Sequence, residues 1–259
     1  MNQEHGRLAL RSFRTPPTGG DGPAPPGRTV YCVPAAGTGA RSFLLPFARS
    51  PLRTHLRVVQ LPGREDRLGE PCLDDITRMG ALLAETVLSE GTDDFALYGH
   101  SFGALVALET TRALERLRAP APALLTVAAC AAPHLPQAVR FDRLAPRQIA
   151  RALRNLGGLD FDGPLGEDMA AAVLPALTAD CRACTRYLDA LGQVSVGCPV
   201  LAQGGTRDPG VPMERITPWQ DCTTSAFTAQ TYPGGHFFPL ESEHPLAAVL
   251  DWQPEHART

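Results

Sequence analysis

The feature that most constrains this chain is a serine flanked by glycines, Gly99-His-Ser-Phe-Gly103. A short apolar run from Phe95 precedes it, and a helix-forming run to about Leu117 follows it. On a sharp strand-to-helix turn, a serine has a strained backbone, and the residues two before and two after it must lack side chains. The free amides and the dipole of the following helix would also stabilise negative charge there. A glycine-serine turn without function can show the same letters, but these flanks favour a nucleophile at Ser101.

The composition excludes several kinds of site. All 24 basic residues are arginine, so the chain contains no lysine. A Schiff-base lysine, a Walker-type phosphate loop and a Ser-Lys dyad each need an ammonium group at a fixed place. The seven cysteines are scattered and odd in number, which favours reduced, buried thiols over a disulfide framework. Cys181 and Cys184 have the spacing of a redox motif, but they lie in a helical run and are predicted to share one helix face.

The N-terminal segment differs in character from the rest. Residues 1–28 are rich in proline and glycine and are predicted to form a disordered tail. They lack the apolar core of a secretion signal, so we expect a cytoplasmic protein. The longest apolar run, 119–133, is interrupted by three prolines and is too short to cross a bilayer. Neither a membrane nor a nucleic acid is an expected partner.

From residue 29 onward, apolar runs that predict strands alternate with helical segments. This alternation predicts one α/β domain over residues 29–259, with a mostly parallel central sheet flanked by helices. The predicted strands are 29–33, 56–61, 95–100, 124–129, 199–203 and 226–232, and a helix with one apolar face is predicted over 74–89.

The alternation stops between about residues 141 and 191. Two helical segments, 147–156 and 167–191, follow each other there without a strand, and Pro175 is expected to kink or divide the second. A helical insertion at this point would cover the carboxyl end of the sheet as a mobile lid. Inward-facing residues such as Leu153 and Leu177 are candidates for contact with the substrate.

A glycine loop, Pro34-Ala-Ala-Gly-Thr-Gly39, follows the first of these strands. A strand, a glycine loop and a helix can open a dinucleotide site, but the third glycine is replaced by Ser42 and no ribose-binding acid ends the next strand. The alternative is a loop whose backbone amide faces the nucleophile as half of an oxyanion hole.

A serine nucleophile needs a base, and that base needs an acid. In α/β-hydrolases the chain order is serine, acid, histidine. Only His236, in Pro233-Gly-Gly-His-Phe-Phe238, directly follows the last strand, and Asp208 follows the neighbouring strand. Asp180 and Asp221 remain alternatives for the acid, while His100 is expected to point away from the serine.

Together, these segments resemble the type II thioesterases, the free-standing editing hydrolases of polyketide and nonribosomal peptide synthesis, over about residues 29–252. The resemblance implies an α/β-hydrolase fold with a helical lid, the triad Ser101, Asp208 and His236, and oxyanion amides on Ala36 and Phe102. Two departures lie in the oxyanion loop, at Ala35 and at Thr38. The segments that carry the resemblance are Pro34-Ala-Ala-Gly37, Val59-Gln-Leu-Pro-Gly-Arg64 with Arg67, Gly99-His-Ser-Phe-Gly-Ala104 with Glu109, Ala132-Pro-His134, Leu156-Gly-Gly158, residues 175–180, the turn at Asp208-Pro209 and Gly234-Gly-His-Phe-Phe238.

The resemblance also implies a substrate. It predicts hydrolysis of acyl thioesters on the phosphopantetheine arm of an acyl or peptidyl carrier protein, through an acyl-enzyme and without a metal or other cofactor. A general carboxylesterase, an acyl transferase and a product-releasing thioesterase are the alternatives. Arg64 and Arg67 are predicted either to dock an acidic carrier protein or to brace their own turn through Glu65 or Asp66.

Overall fold

The computed structural model describes residues 8–13, 27–154, 156–157 and 166–253. The strands are β1 (Ala9–Arg11), β2 (Thr29–Val33), β3 (Leu56–Gln60), β4 (Phe95–His100), β5 (Leu124–Ala128), β6 (Val200–Gly205) and β7 (Phe227–Tyr232). The helices are α1 (Arg41–Leu44), α2 (Ile76–Glu90), α3 (Phe102–Arg116), α4 (Pro146–Arg154), α5 (Gly166–Ala190), α6 (Met213–Ile216) and α7 (His244–Leu250).

The strands form one sheet in the order β1-β3-β2-β4-β5-β6-β7, in which only β1 is antiparallel to its neighbour. Every residue of β4, β5 and β6 is buried. Side chains alternate between two apolar clusters, with Leu97 on one face and Ala96 and Tyr98 on the other. A parallel sheet covered on both faces explains why these strands appear in the sequence as continuous apolar runs. The predicted α/β-hydrolase fold is confirmed, and its central strand β4 ends at the glycine-flanked serine.

The helix after β3 shows how local sequence defines an element. Asp75 caps α2 because its side chain accepts a hydrogen bond from the Arg78 N–H, and Gly91 ends the helix with φ of 65°. Ile76, Met79, Leu83 and Val87 form the buried face that packs against the sheet and α3.

The prediction of a disordered tail is wrong for residues 8–13. β1 pairs with β3, with Ala9 opposite Gln60. Leu8 is buried in the main core, and its N–H donates to Thr86 Oγ1 at 2.9 Å. The edge of β3 offers unpaired backbone groups, and even a three-residue strand can satisfy them. Residues 1–7 and 14–26 lie outside the described residues.

α4 and α5 form the helical insertion between β5 and β6. α5 runs without interruption from Gly166 to Ala190, so the expectation that Pro175 divides the segment is wrong. Pro175 has no N–H, and the helix therefore lacks the hydrogen bond that this position would donate to the Ala171 carbonyl. Within the ranges given above, no helix combines the length and the apolar character that a membrane span requires.

Candidate active site

Ser101 occupies a strained turn between β4 and α3. Its backbone has φ of 55° and ψ of −116°, outside the common regions for a residue with a side chain. The flanking glycines make the turn possible, because a Cβ on Gly99 would lie 2.3 Å from the Ala104 Cα, and a Cβ on Gly103 would lie 2.1 Å from the Val33 carbonyl oxygen. The sharp turn at the end of β4 therefore depends on both glycines.

The structure brings together the three residues predicted as a triad. The Ser101 hydroxyl lies 2.9 Å from His236 Nε2, and His236 Nδ1 lies 2.7 Å from Asp208 Oδ2. A hydroxyl that donates to Nε2 requires the tautomer with its proton on Nδ1, which donates to Asp208. His236 and Asp208 are almost fully buried, so competing water is excluded from this hydrogen bond. The arrangement can remove a proton from the serine hydroxyl.

Asp208 is held as a charged acceptor. Burial opposes its ionisation, but hydrogen bonds from His236 and from the N–H groups of Gly210 and Val211 outweigh burial and lower the pKa of its carboxyl group. The carboxylate is therefore available to orient His236 at neutral pH.

His100 has a role that the sequence interpretation missed. Its Nε2–H donates to the His236 carbonyl at 2.8 Å, and its ring packs against His236 and Phe237. Burial lowers the pKa of His100 to about 3, so the ring is neutral. His100 therefore supports the backbone of the loop that presents His236, a contact that the expectation of a ring pointing away from Ser101 did not include.

Ala36 and Phe102, which carry the two predicted oxyanion amides, line the same cavity as Ser101 and His236. Phe102 is the first residue of α3, and Ala36 lies in the loop after β2. Within the part of the chain that the structure describes, neither N–H donates a hydrogen bond. Free amides beside a candidate nucleophile are what an oxyanion requires.

The cavity has a volume of about 640 Å³ and a mostly apolar lining. The lid candidates Leu153 of α4 and Leu177 of α5 both contribute to this lining. Cys181 and Cys184 also line it as free thiols, and burial raises the pKa of each well above the usual range. A protonated thiol is a poor nucleophile, so this pair adds apolar surface rather than a second reactive group.

The alternative acids are engaged elsewhere. Asp180 is fully buried and forms a two-point ion pair with Arg64. Asp221 is exposed, with its carboxylate 3.8 Å from His134 Nε2.

The two arginines expected to dock a carrier or to brace their own turn have other partners. Arg67 pairs with Glu70 and donates to the Gln60 carbonyl at 2.9 Å. Arg64 pairs with Asp180, so the prediction that Glu65 or Asp66 would be its partner is wrong. Asp180 is 116 residues from Arg64 in the chain, and no local sequence signal could have shown this contact.

Comparison with known proteins places these observations in a family. The sequence model of the thioesterase domain matches residues 28–252. Thioesterase PikA5 of Streptomyces venezuelae is 34% identical over 222 residues, which cover 84% of this chain and 77% of the relative.

Two solved structures are also similar. RedJ, a thioesterase of the prodiginine biosynthetic pathway in Streptomyces coelicolor, is 36% identical with a TM-score of 0.74, over 85% of this chain and 84% of RedJ. YbtT, a type II thioesterase of the yersiniabactin NRPS/PKS biosynthetic pathway, is 27% identical with a TM-score of 0.78, over 92% and 97% of the two chains. The chain therefore belongs to the thioesterase family, among its type II members, and is an enzyme that hydrolyses thioesters.

Proposed function

We propose that this enzyme removes acyl groups from the phosphopantetheine arm of acyl or peptidyl carrier proteins, through an acyl-enzyme on Ser101. The observation that carries the proposal is the hydrogen-bonded chain Ser101–His236–Asp208 at the wall of an apolar cavity. The relatives support a role in biosynthesis, since RedJ comes from the prodiginine biosynthetic pathway and YbtT from the yersiniabactin NRPS/PKS biosynthetic pathway.

In the first half-reaction, the Ser101 oxygen attacks the thioester carbonyl carbon while His236 Nε2 takes the hydroxyl proton. The negative charge on the carbonyl oxygen is stabilised by the N–H groups of Ala36 and Phe102. The carbon–sulfur bond then breaks, and the proton that His236 holds passes to the leaving sulfur, so the thiol departs and His236 is neutral again. A free thiol has a pKa of about 8.5, so its departure needs little acid assistance.

In the second half-reaction, water replaces the thiol. His236 takes a proton from water, the resulting hydroxide attacks the acyl-Ser101 carbonyl, and the serine oxygen leaves with the proton from His236. An alkoxide is a poorer leaving group than a thiolate, so this step depends more strongly on His236. The acyl-enzyme should therefore accumulate when acylation is fast.

A direct test combines intact-protein mass spectrometry with product analysis. The enzyme is mixed with carrier proteins that bear acetyl, propionyl or octanoyl groups on the phosphopantetheine arm. We expect free acid, a carrier with a free thiol, and a transient acyl adduct on Ser101 that is absent from Ser101→Ala. The kcat/KM of an oxygen ester of the same acyl group should be much lower, because kcat/KM reports acylation and its leaving group is far more basic than a thiolate. Equal kcat/KM for the two esters would indicate a general carboxylesterase, and acyl transfer to an added amine or alcohol would indicate a transferase.

We also propose that the carrier docks on the exposed face of α4. Arg147 and Arg151 lie one turn apart on that face, both are exposed, and neither side chain has a charged or hydrogen-bonding partner among the described residues. The opposite face of the helix holds the buried Ile149, and Leu153 lines the cavity. Guanidinium groups bind phosphate and carboxylate well, so an acidic carrier with a phosphate-bearing arm suits this surface beside the cavity.

Charge reversal tests this docking surface. Arg147→Glu with Arg151→Glu should lower kcat/KM on an acyl-carrier protein about tenfold at low salt, since rim charges act mainly on association, and the loss should shrink as salt screens the charges. Turnover of the matching acyl-pantetheine should change little. Arg78→Glu on α2, a helix that does not line the cavity, is the control. Equal losses on carrier and pantetheine substrates would place the two arginines in a structural role.

A further inference from the structure

We propose that Asp180 is a positioning residue of the oxyanion hole: from α5, it holds the loop that carries the Ala36 amide. This inference rests on the proposed function of Ala36 as an oxyanion donor. It assigns a role to the buried Asp180–Arg64 ion pair, which the reaction described above does not use.

The first observation is a direct contact between α5 and the loop after β2. Asp180 Oδ2 accepts a hydrogen bond from the Gly37 N–H at 2.8 Å. Gly37 follows Ala36 immediately and has φ of 72°, and the N–H of Thr38 closes the turn onto the Ala35 carbonyl at 3.1 Å. This is the geometry of a tight turn that needs glycine at its third position. A carboxylate on the neighbouring helix therefore fixes the peptide next to the proposed oxyanion donor.

The second observation is that Arg64 fixes the same carboxylate. Arg64 Nη1 donates to Asp180 Oδ2 at 2.8 Å, and Nη2 donates to Oδ1 at 3.1 Å. Nη1 also contacts the Thr38 carbonyl at 3.2 Å. The Arg64 guanidinium thus donates two hydrogen bonds to the carboxylate and one to the loop. This planar, two-pronged geometry is one that lysine cannot reproduce.

Gln60 connects Arg64 and the end of the loop to the sheet. Gln60, at the end of β3, donates from Nε2 to the Arg64 carbonyl at 3.0 Å, and its Oε1 accepts from the Ala40 N–H at 2.7 Å. Gln60 is completely buried, and only 4% of Arg64 is exposed. The loop is consequently held at both ends, at Gly37 by Asp180 and at Ala40 by Gln60.

The Ala36 amide itself has no hydrogen-bond partner in the described ranges, so its direction depends on these neighbouring anchors. An oxyanion donor contributes only when it already points at the place where the charge develops. Loss of the Asp180 carboxylate would leave Gly37 and Arg64 competing for one acceptor. The loop would then lose its fixed position while the substrate chamber stayed in place.

The test separates transition-state binding from ground-state binding. With acyl-pantetheine as substrate, Asp180→Asn should lower kcat about 10- to 100-fold and change KM less than threefold, because removal of a complete oxyanion donor costs about 10²–10³ in kcat. Affinity for a trifluoromethyl ketone, which binds Ser101 as a tetrahedral oxyanion, should fall by a similar factor. Affinity for the unreactive thioether analogue of the substrate should stay within threefold.

Two further variants complete the experiment. Asp74→Asn is the matched control, since it removes an exposed ion pair that joins Arg186 of the same helix α5 to the body. Arg64→Lys keeps the charge and the Asp180–Gly37 contact but loses the fork, so it should show a smaller loss of the same kind even if Asp180→Asn folds poorly.

Normal kcat and normal ketone affinity in a folded Asp180→Asn variant, with only a lower melting temperature, would overturn the proposal and leave Asp180 as a brace of α5. Failure of the proposed function would look different. The wild type itself would then fail to form acyl-Ser101 or to bind the ketone.

Discussion

Ser101→Ala and His236→Ala should each lower kcat on an acyl thioester by at least about 10⁴-fold, and Asp208→Asn by about 10³–10⁴-fold. The first variant has no nucleophile and the second has no base. In the third, the asparagine amide stabilises the wrong tautomer of His236, because Asp208 Oδ2 now accepts the Nδ1 proton at 2.7 Å. Stopped assays with an acyl-pantetheine, read over days for the slow variants, measure these rates.

The control for Asp208→Asn is Asp221→Asn, which alters an exposed carboxylate and should retain activity. A reversed result, with Asp221→Asn inactive and Asp208→Asn active, would show that Asp208 is not the acid.

Because the pKa of Asp208 is lowered in the folded protein, the stability lost in Asp208→Asn should depend on pH. A carboxyl group whose folded pKa lies below its unfolded value stabilises the fold above the unfolded pKa of about 3.9 and loses this contribution as pH falls further. The difference in melting temperature between wild type and Asp208→Asn should therefore be present near neutral pH and should shrink below about pH 4.

Gly103→Ala should both destabilise the fold and impair catalysis. The added Cβ would lie 2.1 Å from the Val33 carbonyl oxygen and 2.7 Å from that of Pro34, and both are backbone atoms that cannot rotate away. Overpacking of this kind costs about 3 kcal/mol, which corresponds to a fall in melting temperature of about 10 °C in a domain of this size.

The displaced backbone leads directly into the loop that carries Ala36, so kcat in the folded fraction should fall about 10²-fold, as expected for a misplacement near 1 Å. Gly69→Ala is the control, since a Cβ there meets no atom within 4 Å. Thermal unfolding and active-site titration measure the two effects separately. A stable and fully active Gly103→Ala enzyme would contradict the explanation of the turn.

The sequence was sufficient for elements whose cause is local. The strands β2 and β4 to β6 are continuous apolar runs because both faces of the sheet are covered. The turn at Ser101 was recognisable because two glycines flank the serine at a fixed spacing between an apolar run and a helical run, although the Val33 carbonyl that requires Gly103 is distant in the chain. The chain order serine, acid, histidine then indicated Asp208 and His236.

Elements that depend on distant contacts were missed. β1 has three residues, too few for a periodic pattern, and it exists because the edge of β3 pairs with it. Pro175 was expected to kink or divide the second helical segment, but α5 continues through it, packed against the smaller cluster with Ile149 before the proline and against the main core near its end. The neutral His100 and the Asp180–Arg64 pair are likewise defined by partners more than 100 residues away.

The position of Pro175 divides α5 into two parts with different attachments. Beyond it, Asp180 is bound to Arg64 and the Tyr187 hydroxyl donates to Glu109 of α3 at 2.8 Å, so this part belongs to the main body. Before it, Val173 and Leu174 pack with the smaller cluster that includes Ile149 of α4, and Leu177 and Cys181 join this cluster from beyond the proline. The backbone hydrogen bond that proline removes would reach Ala171, in the turn before Pro175. If the insertion opens to admit an acyl chain, we therefore expect the start of α5 to move together with α4, while the part that holds Asp180 and Tyr187 stays with the catalytic loops.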